Sequence, residues 1–314
     1  MRKEDLIFAK TISKRLDAFD AKVHLLPGIE DQDARRTFIF QIVESVRRIR
    51  FVQEVSKRPI AESRKDPSSE YFDPVRAAIL YKNAGQIDEA SWLVFLFVHF
   101  GKNARSGYRL IADVYGRLGQ GGAWTWARVC KDPLAFRHWL DENKQFLQAS
   151  DHTHRGFGNH RKYQSLDAWK PAGTGEAVHS YAIWVAKSGG HGKLFSNVLE
   201  AAGGDPEEAF ARLFKEMNAV KSFGRTAKFD YLAMIGKLGL AEIRPNSVHF
   251  GGATGPVTGA RLLFAGKLKS DDSRKKLESL SDSLASHLHV DKQAIEDSLC
   301  NWQKSPTDPI RFRG

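Results

Sequence analysis

The chain is 314 residues long, 42% hydrophobic, and carries 48 Lys and Arg against 37 Asp and Glu, a formal charge of +11. That length and apolar content supply a substantial core and exclude global disorder. The positive surplus favours a polyanionic partner, nucleic acid before an anionic membrane, with a merely basic protein as the plain alternative. Two cysteines, Cys130 and Cys300, exclude a disulfide scaffold and a CxxC zinc module.

In chain order, the charged start "MRKEDLIFAKTISKRL" has no apolar centre and is not a signal peptide. Residues 3–19 predict an amphipathic helix, and "RRTFIFQIVESVRRIRFVQEV" a second one with Arg47, Arg48 and Arg50 clustered on it. Polar "SKRPIAESRKDPSSE" reads as a flexible connection. Asp73-Pro74 opens a helix running through "VRAAILYKNAGQIDEA" and ending in Asn83, Gln86 and Asp88. Apolar "WLVFLFVHF" is too short to span a bilayer. Gly-rich "GRLGQGGAWTW" follows, then an Asp-Pro-opened helix, "DPLAFRHWLDENKQFLQ". Residues 151–176 read as an exposed loop, "EAVHSYAIWVAK" and "KLFSNVLEAA" as helices, and the region after the Gly-rich "PNSVHFGGATGP" as helical to the end. These signals predict an all-α, cytoplasmic, soluble protein. Its expected segments are N-terminal helices over 1–65, a core over 66–265 with an insertion near 101–175, and a helical tail over 266–314.

The joint Lys221-Ser222-Phe223-Gly224-Arg225-Thr226 lies between two amphipathic helices. Phe210, Leu213, Phe214 and Met217 make one apolar face; Ala227, Tyr231, Met234, Ile235 and Leu238 make the other. A short Gly-containing turn makes a helical hairpin. Backbone amides at the start of its second helix, with Thr226 expected to cap them and Lys221 and Arg225 beside them, suit a phosphate. Such a contact positions a protein on nucleic acid without reading a base.

This joint resembles that of the helix-hairpin-helix DNA glycosylases, whose pattern is Pro-Gly-hydrophobic-Gly-Arg followed by Lys/Thr-Ala. Here Lys221 replaces the Pro and Ser222 the first Gly. The Asp-Pro-opened helix ending in Asn83, Gln86 and Asp88 resembles the upstream helix of those enzymes. The strings "VESVRRIRF", "FDPVRAAILYKNAGQIDEASWL" and "GNHRKYQSL" are similar to a narrower group, the α-glutamyl/putrescinyl thymine pyrophosphorylase family, glycosylase relatives connected with hypermodified phage thymine. The resemblance spans roughly residues 35–265. It implies two helical lobes with a cleft between them, duplex DNA as partner, no cofactor, no metal and no obligate protein partner. It also implies excision of a hypermodified pyrimidine, for example glucosylated hydroxymethylcytosine, in anti-phage defence. A nucleotide pyrophosphorylase and a non-catalytic DNA-binding module are the rival readings.

A glycosylase places a carboxylate where positive charge builds on the sugar. The Asp about twenty residues past the hairpin in those enzymes has no counterpart in "EIRPNSVHF", where Asn246 stands nearest and Glu242 and His249 flank it. The catalytic candidates are therefore Asp88, Asp230, Glu242 and Asn246, each of which also suits an ordinary surface or loop role. Thr226 occupies the place of the Schiff-base Lys of bifunctional relatives, which predicts an enzyme that leaves an abasic site, although Lys228 is close. "DHTHRGFGNHRKYQS" interleaves basic and aromatic residues, and Asn159, His160 and Tyr163 join Asn83, Gln86 and His249 as base-pocket candidates. Its three His lack a firm ligand spacing. Arg47 and Arg48 join the joint as candidate phosphate contacts. "GGHGKLFS" fails as a P-loop and "GQGGAWTW" as a dinucleotide site.

Overall fold

In the computed structural model of the chain, residues 2–149, 154–161 and 164–311 are described. Among them the regular structure is helical, apart from one isolated bridge between Asn103 and Gly107. The helices are α1 (Lys3–Lys22), α2 (Gln32–Ser56), α3 (Pro74–Asn83), α4 (Ile87–Phe100), α5 (Arg109–Tyr115), α6 (Trp126–Lys131), α7 (Pro133–Gln148), α8 (Thr174–Ala186), α9 (His191–Ala201), α10 (Pro206–Glu216), α11 (Arg225–Leu238), α12 (Gly255–Ala265), α13 (Arg274–Leu288) and α14 (Lys292–Trp302). Among the described residues, no helix is long and apolar enough to cross a membrane.

The chain divides into two compact units, one of residues 1–53 with 245–313 and one of residues 54–244. In the first, α1, α2, α12, α13 and α14 enclose Phe19, Phe38, Leu263, Leu284 and Trp302. Phe38 meets Trp302 at 5.0 Å between ring centres, and the Trp302 indole donates to Pro306 O at 3.0 Å. The second unit, α3 to α11, buries an aromatic stack. Phe95 lies on Tyr181 at 3.9 Å and on Phe223 at 4.9 Å, with His99 parallel to it on the next turn.

Capping follows the sequence signals. Asp73 accepts from the amides of Val75 and Arg76, Asp132 from Ala135, and Asp205 from Glu207 and Glu208, each followed by Pro in the first turn. Two expectations are corrected. The segment after Asp73 is not one helix: Ala84 ends α3, Gly85 takes φ 74°, and α4 starts afresh at Ile87. Carbonyls of the last turn of α3 are taken up there, Tyr81 O accepting from Gln86 N and Lys82 O from Gly85 N, each at 2.9 Å. The stretch 151–176 is not simply an exposed loop either. Of its described residues, Gly158, Arg161, Leu166 and Ala168 are buried, and α8 begins at Thr174.

Gly175, in the first turn of α8, presses on the preceding segment; a Cβ there would lie 2.2 Å from Ala168 O. Gly175→Ala is expected to lower stability by about 2 kcal/mol through overpacking. Urea unfolding measures it, and an unchanged midpoint would mean that residues 167–173 yield freely.

Candidate functional site

The hairpin joint is built from both sides. Val220 and Phe223 are buried, at 3% and 5% exposure, and Phe223 anchors it to the aromatic stack. Ser222 between them has φ 58°, a left-handed conformation that the corresponding Gly adopts without strain and Ser does not. Its hydroxyl lies 2.9 Å from both Gln164 Oε1 and Ala172 O, and Gln164 Nε2 donates back to Ser222 O at 3.1 Å. The Lys221 amide donates to Ser180 Oγ at 2.9 Å, leaving its side chain exposed.

Gly224 is the N-cap of α11, with φ −69°. Neither that torsion nor packing requires glycine: a Cβ there would meet nothing within 4 Å. The open space above it admits close approach of another molecule's backbone. Thr226 does not cap the helix, as the sequence suggested; it sits one residue inside α11, and no side chain caps that end. The first-turn amides therefore point outward with the positive end of the helix dipole. Arg225 lies over the Phe229 ring at 4.9 Å.

The break between α3 and α4 creates a second feature. It places Asp88 in the first turn of α4, where it accepts two hydrogen bonds on Oδ1, from His191 N at 2.6 Å and His191 Nδ1 at 2.8 Å. Gly190 must precede that histidine. Its φ is 116°, and a Cβ would stand 3.0 Å from Asp88 Oδ2. Behind Asp88, His191 Nε2 lies 2.6 Å from the Tyr181 hydroxyl, which lies 2.9 Å from the Tyr231 hydroxyl. An ionised carboxylate only accepts, so His191 donates from Nδ1 and its Nε2 accepts from Tyr181, whose oxygen in turn accepts from Tyr231. The line therefore has one direction, with every proton aimed toward Asp88.

Electrostatics maintain that arrangement. The hydrogen bonds from His191 hold the Asp88 carboxyl below the usual aspartate range, against the opposing effect of partial burial. Burial pushes His191 down, which keeps it neutral, and pushes both tyrosine hydroxyls up. His191, Tyr181 and Tyr231 are wholly buried, whereas the Asp88 side chain is 46% exposed. The result is a surface carboxylate fixed by a neutral buried support. Neighbouring Glu89 accepts from the Tyr115 hydroxyl at 2.6 Å and from Trp126 N at 2.7 Å, and burial raises its pKa.

The line and the joint share parts. Tyr231 is on α11, whose first turn is the joint, and Phe95 stacks on both Tyr181 and Phe223. The turn that carries Asp88 also carries Asn83 and Gln86, both exposed.

The other candidates are placed differently. Asp230 accepts from Arg161 Nη2 at 2.5 Å, and Arg161 Nε donates to Val98 O at 2.6 Å, an ion pair that ties the 159–161 turn to α11. Glu242 is exposed beside Gly236, Gly239 and Arg244. Asn246 and His249 belong to the other compact unit, where His249 Nε2 meets Asn246 Oδ1 at 2.8 Å and Lys292 donates to Asn246 O at 2.6 Å. Their loop is clamped onto α13, with Glu278 accepting from Phe250 N and Asp282 from Val248 N. Arg47 pairs with Glu44, and Arg48 with Asp297, in that same unit. Asn159 is exposed; Tyr163 and the His160 side chain lie outside the described residues. Lys228 turns from the joint toward α10, donating to Asn218 Oδ1 at 2.6 Å and covering the Phe214 ring at 4.4 Å. Among the described residues, no group of three His, Cys, Asp or Glu is arranged to hold a metal ion.

Sequence reasoning gave His191 and Tyr181 no role and read Tyr231 only as part of an apolar helix face. The signal for His191 was present in "GGHGKLFS", where a Gly pair precedes a helix-opening His. Read as a failed P-loop, it concealed a residue whose partner lies 103 positions upstream.

A family model described as alpha-glutamyl/putrescinyl thymine pyrophosphorylase clade 3 matches residues 33–314. No curated protein and no solved structure matches the chain.

Proposed function

The chain belongs to the alpha-glutamyl/putrescinyl thymine pyrophosphorylase family, clade 3, and from that premise we propose that it is a monofunctional DNA glycosylase acting on a hypermodified pyrimidine. The observation that carries this reading is the half-exposed Asp88, held ionised at the head of the His191–Tyr181–Tyr231 line. A fixed anion of this kind stabilises the positive charge that develops on the sugar as the C–N bond breaks. Water adds to the anomeric carbon and gives up its proton, the base departs with one, and an abasic site remains. Asn83 and Gln86, exposed in the turn that leads to Asp88, are the residues we assign to the extruded base. Lys228, occupied with Asn218 and Phe214, supports the absence of a Schiff-base step. Defence against phages with modified DNA is the setting we assign.

The family description favours a second reading, displacement by an amine of pyrophosphate from a modified thymine that stays on its sugar. The new C–N bond forms at the carbon as the C–O bond to pyrophosphate breaks, and the amine releases a proton. Both reactions break a bond at a carbon that becomes positive, so Asp88 serves either. The test incubates the protein, with and without putrescine or glutamate, with unmodified DNA and with DNA carrying glucosylated hydroxymethylcytosine or a pyrophosphorylated thymine. Free base with a new aldehyde establishes the glycosylase; released pyrophosphate with an intact glycosidic bond establishes the second reading. DNA binding with neither product leaves a binding module.

DNA binding is assigned to the joint. Lys221→Ala and Arg225→Ala are each expected to reduce the salt slope of duplex affinity by about one, equally for modified and plain DNA. Fluorescence anisotropy across a salt series reads this, and an unchanged slope places the phosphate contacts elsewhere.

A further inference from the structure

The Gly-rich stretch 116–123 follows helix α5 rather than a strand, and it lines an open pocket of about 680 Å³ that the Asp88 line leaves unused. Arg117, Leu118, Gly119, Gly121 and Gly122 take left-handed backbone, with φ between 52° and 85°. Glycine adopts such torsions freely, whereas Arg117 and Leu118 hold them only because the surroundings fix the turn. Arg128 supplies part of that fixing. Its Nη1 donates to the carbonyls of Gly121, Gly122 and Ala123 at 3.0, 2.9 and 3.2 Å. In a trans peptide the amide points opposite to the carbonyl it is joined to, and the described residues include no cis bond. The amides of Gly122, Ala123 and Trp124 therefore face away from Arg128. Trp124 N uses that direction to reach Tyr115 O at 2.6 Å. Gly122 N and Ala123 N donate to no backbone group among the described residues, and both residues line the pocket, as Arg128 does not. Two adjacent amides turned the same way form a concave donor site for an anion.

The charge of the walls has the matching sign. Arg109, Asp113 and Arg155 are the ionised residues among those lining the pocket. Both arginines donate through Nε to Asp113 Oδ2, Arg109 at 2.9 Å and Arg155 at 2.7 Å. Arg155 and Asp113 are buried together, with side chains 4% and 8% exposed, and neutralise each other. Arg109 is then the surplus cation, 52% exposed at the pocket wall with its Nη groups accessible. Phe146 lines the same pocket, half exposed, with the Arg155 guanidinium 4.6 Å from its ring centre. A cation is repelled by this set, and a bare phosphate leaves Phe146 and most of the volume unused. A phosphate ester carrying a flat ring uses the amides, the free guanidinium edge and the aromatic face at once.

We propose that this pocket binds a nucleotide, its phosphate held by the Gly122 and Ala123 amides and by Arg109, and its base lying on Phe146. The site shares no residue with Asp88 and its support or with the hairpin joint, and its assignment does not depend on the reaction at Asp88.

The test is calorimetric titration of the full chain with thymidine 5′-monophosphate, with thymidine and inorganic phosphate as controls. Arg109→Gln and Phe146→Ala change half-exposed side chains, and their urea midpoints report whether the fold is intact. The expected result is saturable binding of the monophosphate, about tenfold weaker in either variant. Inorganic phosphate is expected to bind more weakly than the monophosphate, to compete with it, and to lose affinity in Arg109→Gln but not in Phe146→Ala. Arg225→Ala, which alters the hairpin joint, is expected to bind the monophosphate as wild type does. Tighter binding of a 5′-phosphorylated oligothymidylate identifies the source as a strand end; equal binding identifies a free nucleotide. Absence of saturable binding, equal binding of thymidine, or unchanged affinity in Arg109→Gln or Phe146→Ala each overturn the proposal. Loss of binding in Arg225→Ala overturns it too, by moving the phosphate to the joint. The readout needs no catalysis, so failure of the glycosylase reading leaves it intact, and the converse holds.

Discussion

Replacing Asp88 with Asn is expected to slow single-turnover product formation by a factor on the order of 10² to 10⁴, while duplex affinity stays within about twofold of wild type. The amide oxygen can still accept from His191, so the geometry at 2.6 and 2.8 Å survives and only the charge is lost. The pH profile supplies a second check. Because hydrogen bonds from His191 lower the Asp88 pKa, the carboxylate is ionised throughout the neutral and mildly acidic range. The wild-type acid limb therefore lies below the ordinary aspartate value of 3.8, and the intrinsic rate at pH 5 equals that at pH 7. If the Asp88→Asn variant kept more than about a tenth of the rate, the essential carboxylate would move to Asp230 or Glu242.

The second large effect concerns stability and lies at His99. It is 1% exposed, its ring near-parallel to those of Phe95 and Phe223 at 5.9 and 6.4 Å, and burial pushes its pKa from 6.5 to about 3. Thr174 gives its proton to Ser165 O at 2.7 Å, so His99 Nε2–H donates to Thr174 Oγ1 at 2.9 Å, and Nδ1 remains a buried lone pair. The unfolded chain protonates this histidine near 6.5, and the folded chain does not until about 3. The unfolded state thus binds more protons between those values, and stability falls as the pH falls through that window. Going from pH 7 to pH 5 is expected to remove about 2 kcal/mol from the unit of residues 54–244. His191, with its pKa also lowered by burial, adds loss of the same sign. Urea midpoints at the two pH values measure it. His99→Phe keeps the stack and abolishes this part of the loss; an equal acid loss in the variant would exclude His99 as its source.

The helical class was legible because most apolar residues follow helical spacing, and the Asp-Pro starts were legible because capping chemistry is local. The break at Ala84–Gly85 was not, since "NAGQID" carries polar residues compatible with a continuing helix and its decisive bonds depend on three-dimensional closure. The joint was recognisable from a contiguous run of residues. Its Thr226 was misassigned because the cap position shifted to Gly224, a residue with no side chain to mark it. Asp88 was singled out as an acid, but its support is drawn from α8, α9 and α11, and no spacing rule joins positions 88, 181, 191 and 231. Asn246 followed from counting past the hairpin, a measure that ignores that residues 245 onward belong to another compact unit.

Ser222 has a consequence for how the joint meets a partner. A glycine at that left-handed position would leave the unfolded chain more conformations and the folded turn fewer bonds. Ser222 narrows the backbone choice and ties the turn to Gln164 and Ala172 before anything docks. The joint is therefore preorganised: its amides already point outward in the free protein, so an arriving anion needs no loop to order around it. Such a surface associates at a rate set by diffusion and charge rather than by closure.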